Sequence, residues 1–122
     1  TVPMTISKAF SSLSSSEIVL ELNVIKAIVE PPVQALKARA TLKGGYVLQI
    51  NESIGPDFRR YSYHLQKGDE MVRRWDNSPH WKDLKTFPHH VHLGNEAEPK
   101  ECPEVFIEDV LREVEKLLNS NF

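Results

Sequence analysis

The chain has 122 residues, of which 40% are hydrophobic and 26% are charged. This composition is ordinary for a globular protein, and the length is enough to bury one hydrophobic core. The net charge of −2 excludes a protein that binds nucleic acid by charge alone, and the single cysteine excludes an internal disulfide. No apolar run approaches the ~20 residues of a membrane-spanning helix, so we expect a cytoplasmic protein without membrane contact.

The N-terminal third is predicted to contain a short segment that ends in a serine-rich loop, followed by one apolar strand or helix. The serines at positions 11–16 predict a loop or cap that ends a short N-terminal segment, residues 1–16. Residues 17–30 alternate apolar and polar side chains as a strand does, although a helical spacing of the apolar residues fits nearly as well. Pro31 and Pro32 end this element in either case.

Two hairpins are predicted next. Residues 34–42 and 46–53 each alternate apolar and polar side chains, as strands do. Lys43-Gly44-Gly45 joins them, and glycine supplies the positive φ of a hairpin turn. Glu52 continues the apolar face of the second strand. A second hairpin joins residues 60–66 to residues 70–76 through a loop at Lys67-Gly68-Asp69. A three-residue loop places three pairs opposite each other: Tyr61 and Trp75, Tyr63 and Arg73, Arg60 and Asp76.

The sequence after residue 76 predicts a loop, a short strand and a helix. Residues 77–87 are polar and contain two prolines, residues 89–93 form a short last strand, and residues 99–103 form a linker. Residues 104–118 place apolar side chains three and four positions apart, as an amphipathic helix does. The predicted fold is therefore α+β, an antiparallel sheet of about five to six strands packed by a C-terminal α-helix. We expect one domain over residues 1–122, with the sheet in 17–94 and the helix in 103–119.

All five histidines fall between positions 64 and 92, together with several charged and aromatic residues. Imidazole changes its charge near neutral pH and suits both acid and base roles in RNA cleavage. The candidate catalytic residues are His64, His80, His90, His92, Glu52 and Asp76. Arg60 or Arg74 could bind a phosphate, and three aromatic side chains could stack unpaired bases: Tyr61, Tyr63 and Trp75.

Two other interpretations of this cluster stay open. His90 and His92 lie two apart on a strand and therefore on one face, so they could hold a divalent metal ion together with His80, Asp76 or Glu52. The cluster could instead be structural, with Asp76 in ordinary turn chemistry, Arg74 in a fixed ion pair and the aromatic side chains in the core.

Three motifs resemble those of a known family, the TumE toxins of toxin–antitoxin pairs. They are Tyr61-Ser62-Tyr63-His64-Leu65-Gln66, Arg74-Trp75-Asp76-Asn77-Ser78-Pro79-His80 and Thr86-Phe87-Pro88-His89-His90-Val91-His92. The resemblance covers roughly residues 34–118. It implies a cognate antitoxin protein as partner and, by analogy with many such toxins, ribonuclease activity on RNA, but it assigns no catalytic residue. A non-catalytic protein-interaction or metal-binding domain is the alternative, and a homo-oligomer stays open.

Overall fold

The computed structural model describes residues 5–120 of the chain. Its two α-helices and seven β-strands, in chain order, are α1 (Ile6–Ser15), β1 (Val19–Ile28), β2 (Gln34–Leu42), β3 (Tyr46–Ile54), β4 (Arg59–Lys67), β5 (Glu70–Asp76), β6 (His90–Leu93), β7 (Lys100–Glu101) and α2 (Ile107–Asn119). The strands form an antiparallel sheet in which each strand pairs with the next one along the chain. No helix of residues 5–120 is long and apolar enough to cross a membrane.

This architecture confirms the predicted α+β class with a C-terminal helix. The segment 17–30 is a strand, and the helical alternative for it was wrong. The strand count is slightly higher than predicted, because the two-residue strand β7 forms inside the predicted linker 99–103 and pairs with β6. The first hairpin turns as predicted, with Gly44 and Gly45 at φ values of 76° and 81°.

The predicted loop or cap at positions 11–16 was wrong, because most of this segment belongs to helix α1. Ile6, Ala9 and Leu13 recur at helical spacing and are fully buried. The hydroxyl of Thr5 caps the first turn by accepting from the backbone N–H of Lys8 at 3.1 Å. Serines occupy most of the remaining positions of the helix, and burial of the three apolar side chains outweighs their preference for turns. Residues 1–4 of the predicted N-terminal segment lie outside the described residues.

The predicted register of the second hairpin was also wrong. Trp75 lies opposite Tyr63, not Tyr61, and Asp76 lies opposite Ser62, not Arg60. The turn has two residues instead of three, since Lys67 pairs with Glu70, and an irregularity follows between the pairs of Leu65 and Gln66. A bulge of this kind adds a residue to one strand and shifts all later pairs.

Helices α1 and α2 cover one face of the sheet, which we call the helix face. The hydrophobic core lies between the helices and this face, and it contains Leu48 and Ile50 of β3, Leu65 of β4, and Val110 and Val114 of α2. The ion pair between Arg73 and Glu113, at 3.9 Å, places α2 over the face that carries Trp75. The opposite face, here called the open face, carries the alternate residues of each strand.

Helix α2 begins at Ile107, three residues later than the pattern predicted. The backbone N–H of Phe106 donates to the carboxylate of Asp109 at 2.8 Å, which fixes the first turn. Glu104 precedes this turn, outside any helix or strand, and its carboxylate reaches Arg59.

Candidate functional site

The histidines and charged residues that are contiguous in sequence lie on two different faces of the sheet. The open face holds what we call the open-face cluster, which consists of His64, Arg74, Asp76, His90 and His92. The helix face holds Glu52, Tyr61, Tyr63 and Trp75, all of them buried. The side chains of Arg60 and His80 are exposed and form no hydrogen bond or ion pair with residues 5–120.

Three members of the open-face cluster form a row across neighbouring strands. His64 of β4 lies directly opposite Arg74 of β5, and Arg74 lies directly opposite His92 of β6. A guanidinium nitrogen of Arg74 lies 3.3 Å from Nδ1 of His64. The side chain of Arg74 is 39% exposed and that of His92 is 21% exposed. The row is therefore open to solvent and presents a cation between two imidazoles.

Asp76 lies behind this row and is nearly fully buried. Its Oδ1 accepts from the backbone N–H of Ser78 at 3.0 Å and lies 2.9 Å from Nε2 of His90. Its Oδ2 accepts from Nε of Arg74 at 3.1 Å and lies 3.6 Å from Nε2 of His92. One carboxylate thus holds Arg74 and His90 in place and faces the ring of His92.

His90 has no ring nitrogen free for a substrate. Its side chain is 1% exposed, with Nε2 facing Asp76 and Nδ1 lying 2.9 Å from the backbone oxygen of Pro88. The contact to Pro88 joins the loop after β5 to the sheet. His90 therefore positions Asp76 and the loop, while His92 and His64 remain accessible.

The accessible histidines are tuned toward their neutral forms. Partial burial lowers the pKa of His64, and the positive charge of Arg74 lowers it further. Burial also lowers the pKa of His92, where attraction to Asp76 opposes the shift and repulsion from His90 and Arg74 adds to it. The lowered pKa favours the neutral form of each ring, which suits a general base, and it makes the protonated form of each ring a stronger acid.

The same cluster has the donor atoms of a metal site. One ligand atom each from Asp76, His90 and His92 lies within 4.8 Å of the other two. Imidazole and carboxylate suit zinc and related divalent ions, and the contact from Nδ1 of His90 to a backbone carbonyl is typical of metal-bound histidine. His80 does not join this group, because it lies in the exposed loop.

Glu52 lies in a separate arrangement, which we call the Glu52 network, centred on Arg59. Nε of Arg59 donates to Glu52 at 2.9 Å, and its two terminal nitrogens donate to Tyr63 and Glu104. The hydroxyl of Tyr63 donates to the second oxygen of Glu52 at 2.7 Å. The guanidinium also lies 4.2 Å from the ring centroids of two flanking aromatic residues, Tyr61 and Phe106.

The tyrosines of the helix face act as fixed hydrogen-bond donors. Burial raises the pKa of Tyr63 well above its ordinary value, and the nearby charge of Glu52 raises it further. Burial also raises the pKa of Tyr61, whose hydroxyl lies 2.8 Å from Nδ1 of His89. The hydroxyl of Tyr61 keeps its proton and can donate it to that nitrogen when Nδ1 carries no proton. Both oxygens of Glu52 are occupied and its side chain is 0% exposed, so this network joins β3, β4 and the segment before α2.

Arg59, Glu104 and His89 take part in this network, although the sequence did not single them out for it. Strand alternation could have indicated Arg59, since it shares the parity of Tyr61 and Tyr63, whereas Arg60 has the opposite parity. No local signal indicated Glu104, which reaches Arg59 across 45 positions of the chain.

The fold and the cluster define a small α+β protein with a polar histidine site on an antiparallel sheet. A family model described as toxin TumE matches residues 9–118. The chain therefore belongs to the TumE toxin family, which makes it the toxin component of a toxin–antitoxin system and confirms the resemblance of its motifs. Comparison with curated proteins and with solved structures found no match.

Proposed function

We propose that this toxin cleaves RNA at the open-face cluster, with His92 as general base, His64 as general acid and Arg74 on the scissile phosphate. The observation that carries the proposal is the cross-strand row in which Arg74 lies opposite both histidines. An arginine between an acid and a base is the arrangement that a phosphoryl transfer to a neighbouring hydroxyl needs.

The spacing of the row fits one phosphate group. Opposed Cα atoms in antiparallel strands are about 5 Å apart, so the Cα atoms of His64 and His92 are about 10 Å apart. The two rings extend from the same face, on either side of Arg74 in the strand register, and the guanidinium lies 3.3 Å from Nδ1 of His64. A phosphate bound to Arg74 would have one imidazole on each side.

The reaction divides between the two rings. His92 removes the proton of the ribose 2′-hydroxyl, and the 2′-oxygen attacks phosphorus. The bond from phosphorus to the 5′-oxygen breaks, and protonated His64 gives its proton to that leaving oxygen. The products are a 2′,3′-cyclic phosphate and a 5′-hydroxyl. Asp76 faces Nε2 of His92, so it orients the ring and stabilises the cation that forms when Nδ1 takes the proton.

Substitution of the row tests the assignment. We expect His64→Ala and His92→Ala each to lower the RNA cleavage rate by about 100- to 10,000-fold, the usual contribution of an acid or base. His80→Ala is the matched control, because His80 is an exposed histidine outside the row. Circular dichroism of each variant checks folding. Wild-type rates in the His64 and His92 variants would exclude the proposed roles.

Metal-assisted cleavage is the second candidate, favoured by the convergence of Asp76, His90 and His92 within 4.8 Å. These three ligands would leave open positions for a water molecule and a phosphate oxygen. Calorimetric titration with zinc and with manganese separates the candidates. One tightly bound ion that is lost in His90→Ala, together with activity abolished by EDTA, supports the metal; activity unchanged by EDTA supports the acid–base pair.

We further infer that the cognate antitoxin is a protein that docks along β1, and that the toxin acts in the cytoplasm, where it meets cellular RNA. Strand β1 is an edge of the sheet, and Leu20 and Ile25 on it are 64% and 57% exposed. An apolar edge strand can accept a strand from a partner. Co-expression with the product of the adjacent gene tests this, since Ile25→Lys should prevent co-purification and Phe10→Lys should not.

A further inference from the structure

We propose that a cleft next to the His64–Arg74–His92 row binds one nucleobase of single-stranded RNA. This inference rests on the proposed action on RNA and adds the substrate class and its place. The cleft has a volume of about 470 Å³ and lies between the β3–β4 hairpin end and the loop that follows β5. Its lining includes the exposed rings of Phe58 and Phe87.

The cleft lies next to the row on strand β4. Its floor includes Ser62, which lies two residues before His64 on the same face and directly opposite Asp76. Two residues of a strand span about 6.8 Å. A base in the cleft would therefore place the phosphate attached to its nucleotide near Arg74.

The aromatic rings of the cleft have the exposure that base stacking requires. Phe58 and Phe87 are both 41% exposed, and they lie on the hairpin and on the loop, on separate walls of the cleft. The ring of Phe58 packs closely against Gly55, since a Cβ atom there would be 2.1 Å from Cε1 of the ring. A phenyl ring fixed in this way is a stacking surface for any base. The buried aromatic side chains, Tyr61, Tyr63 and Trp75, offer no such surface.

The polar groups of the cleft suit the hydrogen-bonding edge of a base and a neighbouring phosphate. The amide of Asn51 carries a donor and an acceptor, the two groups needed at the edge of a base, and it forms no hydrogen bond within residues 5–120. Arg60 also lines the cleft, and its exposed guanidinium has no ion-pair partner among those residues. The guanidinium of Arg60 is therefore available to a neighbouring phosphate, whereas that of Arg59 already donates to Glu52 and Glu104.

The loop wall is held in place before any ligand binds. The side chain of Asn77 accepts from the backbone N–H of Tyr61 at 3.0 Å and donates to the backbone oxygen of Arg59 at 2.7 Å. The backbone N–H of Ser78 also donates to Oδ1 of Asp76. The cleft is therefore largely pre-formed, which lowers the entropic cost of binding.

Binding of RNA that cannot be cleaved tests the cleft separately from catalysis. The probe is a fluorescein-labelled 2′-O-methyl RNA pentamer, whose methylated oxygens cannot attack phosphorus. Fluorescence anisotropy gives the dissociation constant for wild type, Phe58→Ala, Phe87→Ala and the control Phe10→Ala, which removes a ring of similar exposure (43%) from α1.

We expect weakening of about tenfold in Phe58→Ala and in Phe87→Ala, the scale of one lost stacking contact, and no change in Phe10→Ala. Asn51→Leu, which keeps the size but removes both polar groups, should weaken binding as well. Equal affinity in all variants, or no binding of the pentamer by wild type, overturns the cleft assignment. Intact binding with no cleavage of ordinary RNA would overturn the proposed catalysis and leave the cleft standing.

Discussion

Glu52→Gln is expected to destabilise the protein strongly without changing the chemistry. Glu52 has a side chain that is 0% exposed and accepts from both Arg59 and Tyr63. Breaking a buried ion pair by neutralising one partner costs about 3–5 kcal/mol. Arg59 keeps Glu104 and its two flanking rings, so we expect the lower end, about 3 kcal/mol.

Urea unfolding followed by tryptophan fluorescence measures this loss. With a slope of about 2 kcal/mol per M, the midpoint should fall by about 1.5 M at unchanged slope. Glu104→Gln is the control: Glu104 pairs with the same arginine but is 43% exposed, so its loss should cost less than about 1 kcal/mol. Equal stability of the two variants, or a stable Glu52→Gln protein that no longer cuts RNA, would refute the structural role and restore Glu52 as a catalytic candidate.

Three further predictions concern the two clusters. Tyr63→Phe removes the hydroxyl between Glu52 and Arg59 and should cost about 1–3 kcal/mol in urea unfolding; a loss near zero would show that the hydroxyl is dispensable. Arg74→Met removes a positive charge and should raise the pKa of His64 in an NMR titration, whereas an unchanged or lower value would contradict the contact. EDTA should leave RNA cleavage unchanged, and complete loss of activity would favour the metal-assisted mechanism.

Strand and helix periodicity predicted most of the fold, and its failures have local causes. The serines of α1 obscured a helix that buries only three side chains, those of Ile6, Ala9 and Leu13. The shifted register of β4 and β5 has two causes, a two-residue turn and an irregularity after Leu65. Gly68 fits a two-residue turn and a three-residue loop equally well, and the sequence does not mark the irregularity.

The candidate site was predicted in composition but not in arrangement. Contiguity in sequence suggested one cluster, yet neighbouring residues of a strand point to opposite faces, so Trp75 and Asp76 lie on different sides of the sheet. The pairing of His64 with Arg74 and of Arg74 with His92 depends on the register of three strands. Sequence spacing alone does not fix that register.

The chemical nature of the RNA ends tests the central claim most directly. Cleavage by His64 and His92 uses the ribose 2′-oxygen as nucleophile, so mass spectrometry should find 2′,3′-cyclic phosphate and 5′-hydroxyl ends. An RNA with a single 2′-deoxy sugar at the cleaved position should remain intact at that position. Ends with a 5′-phosphate, or cutting at the deoxy position, would show that water is the nucleophile and would contradict the acid–base mechanism.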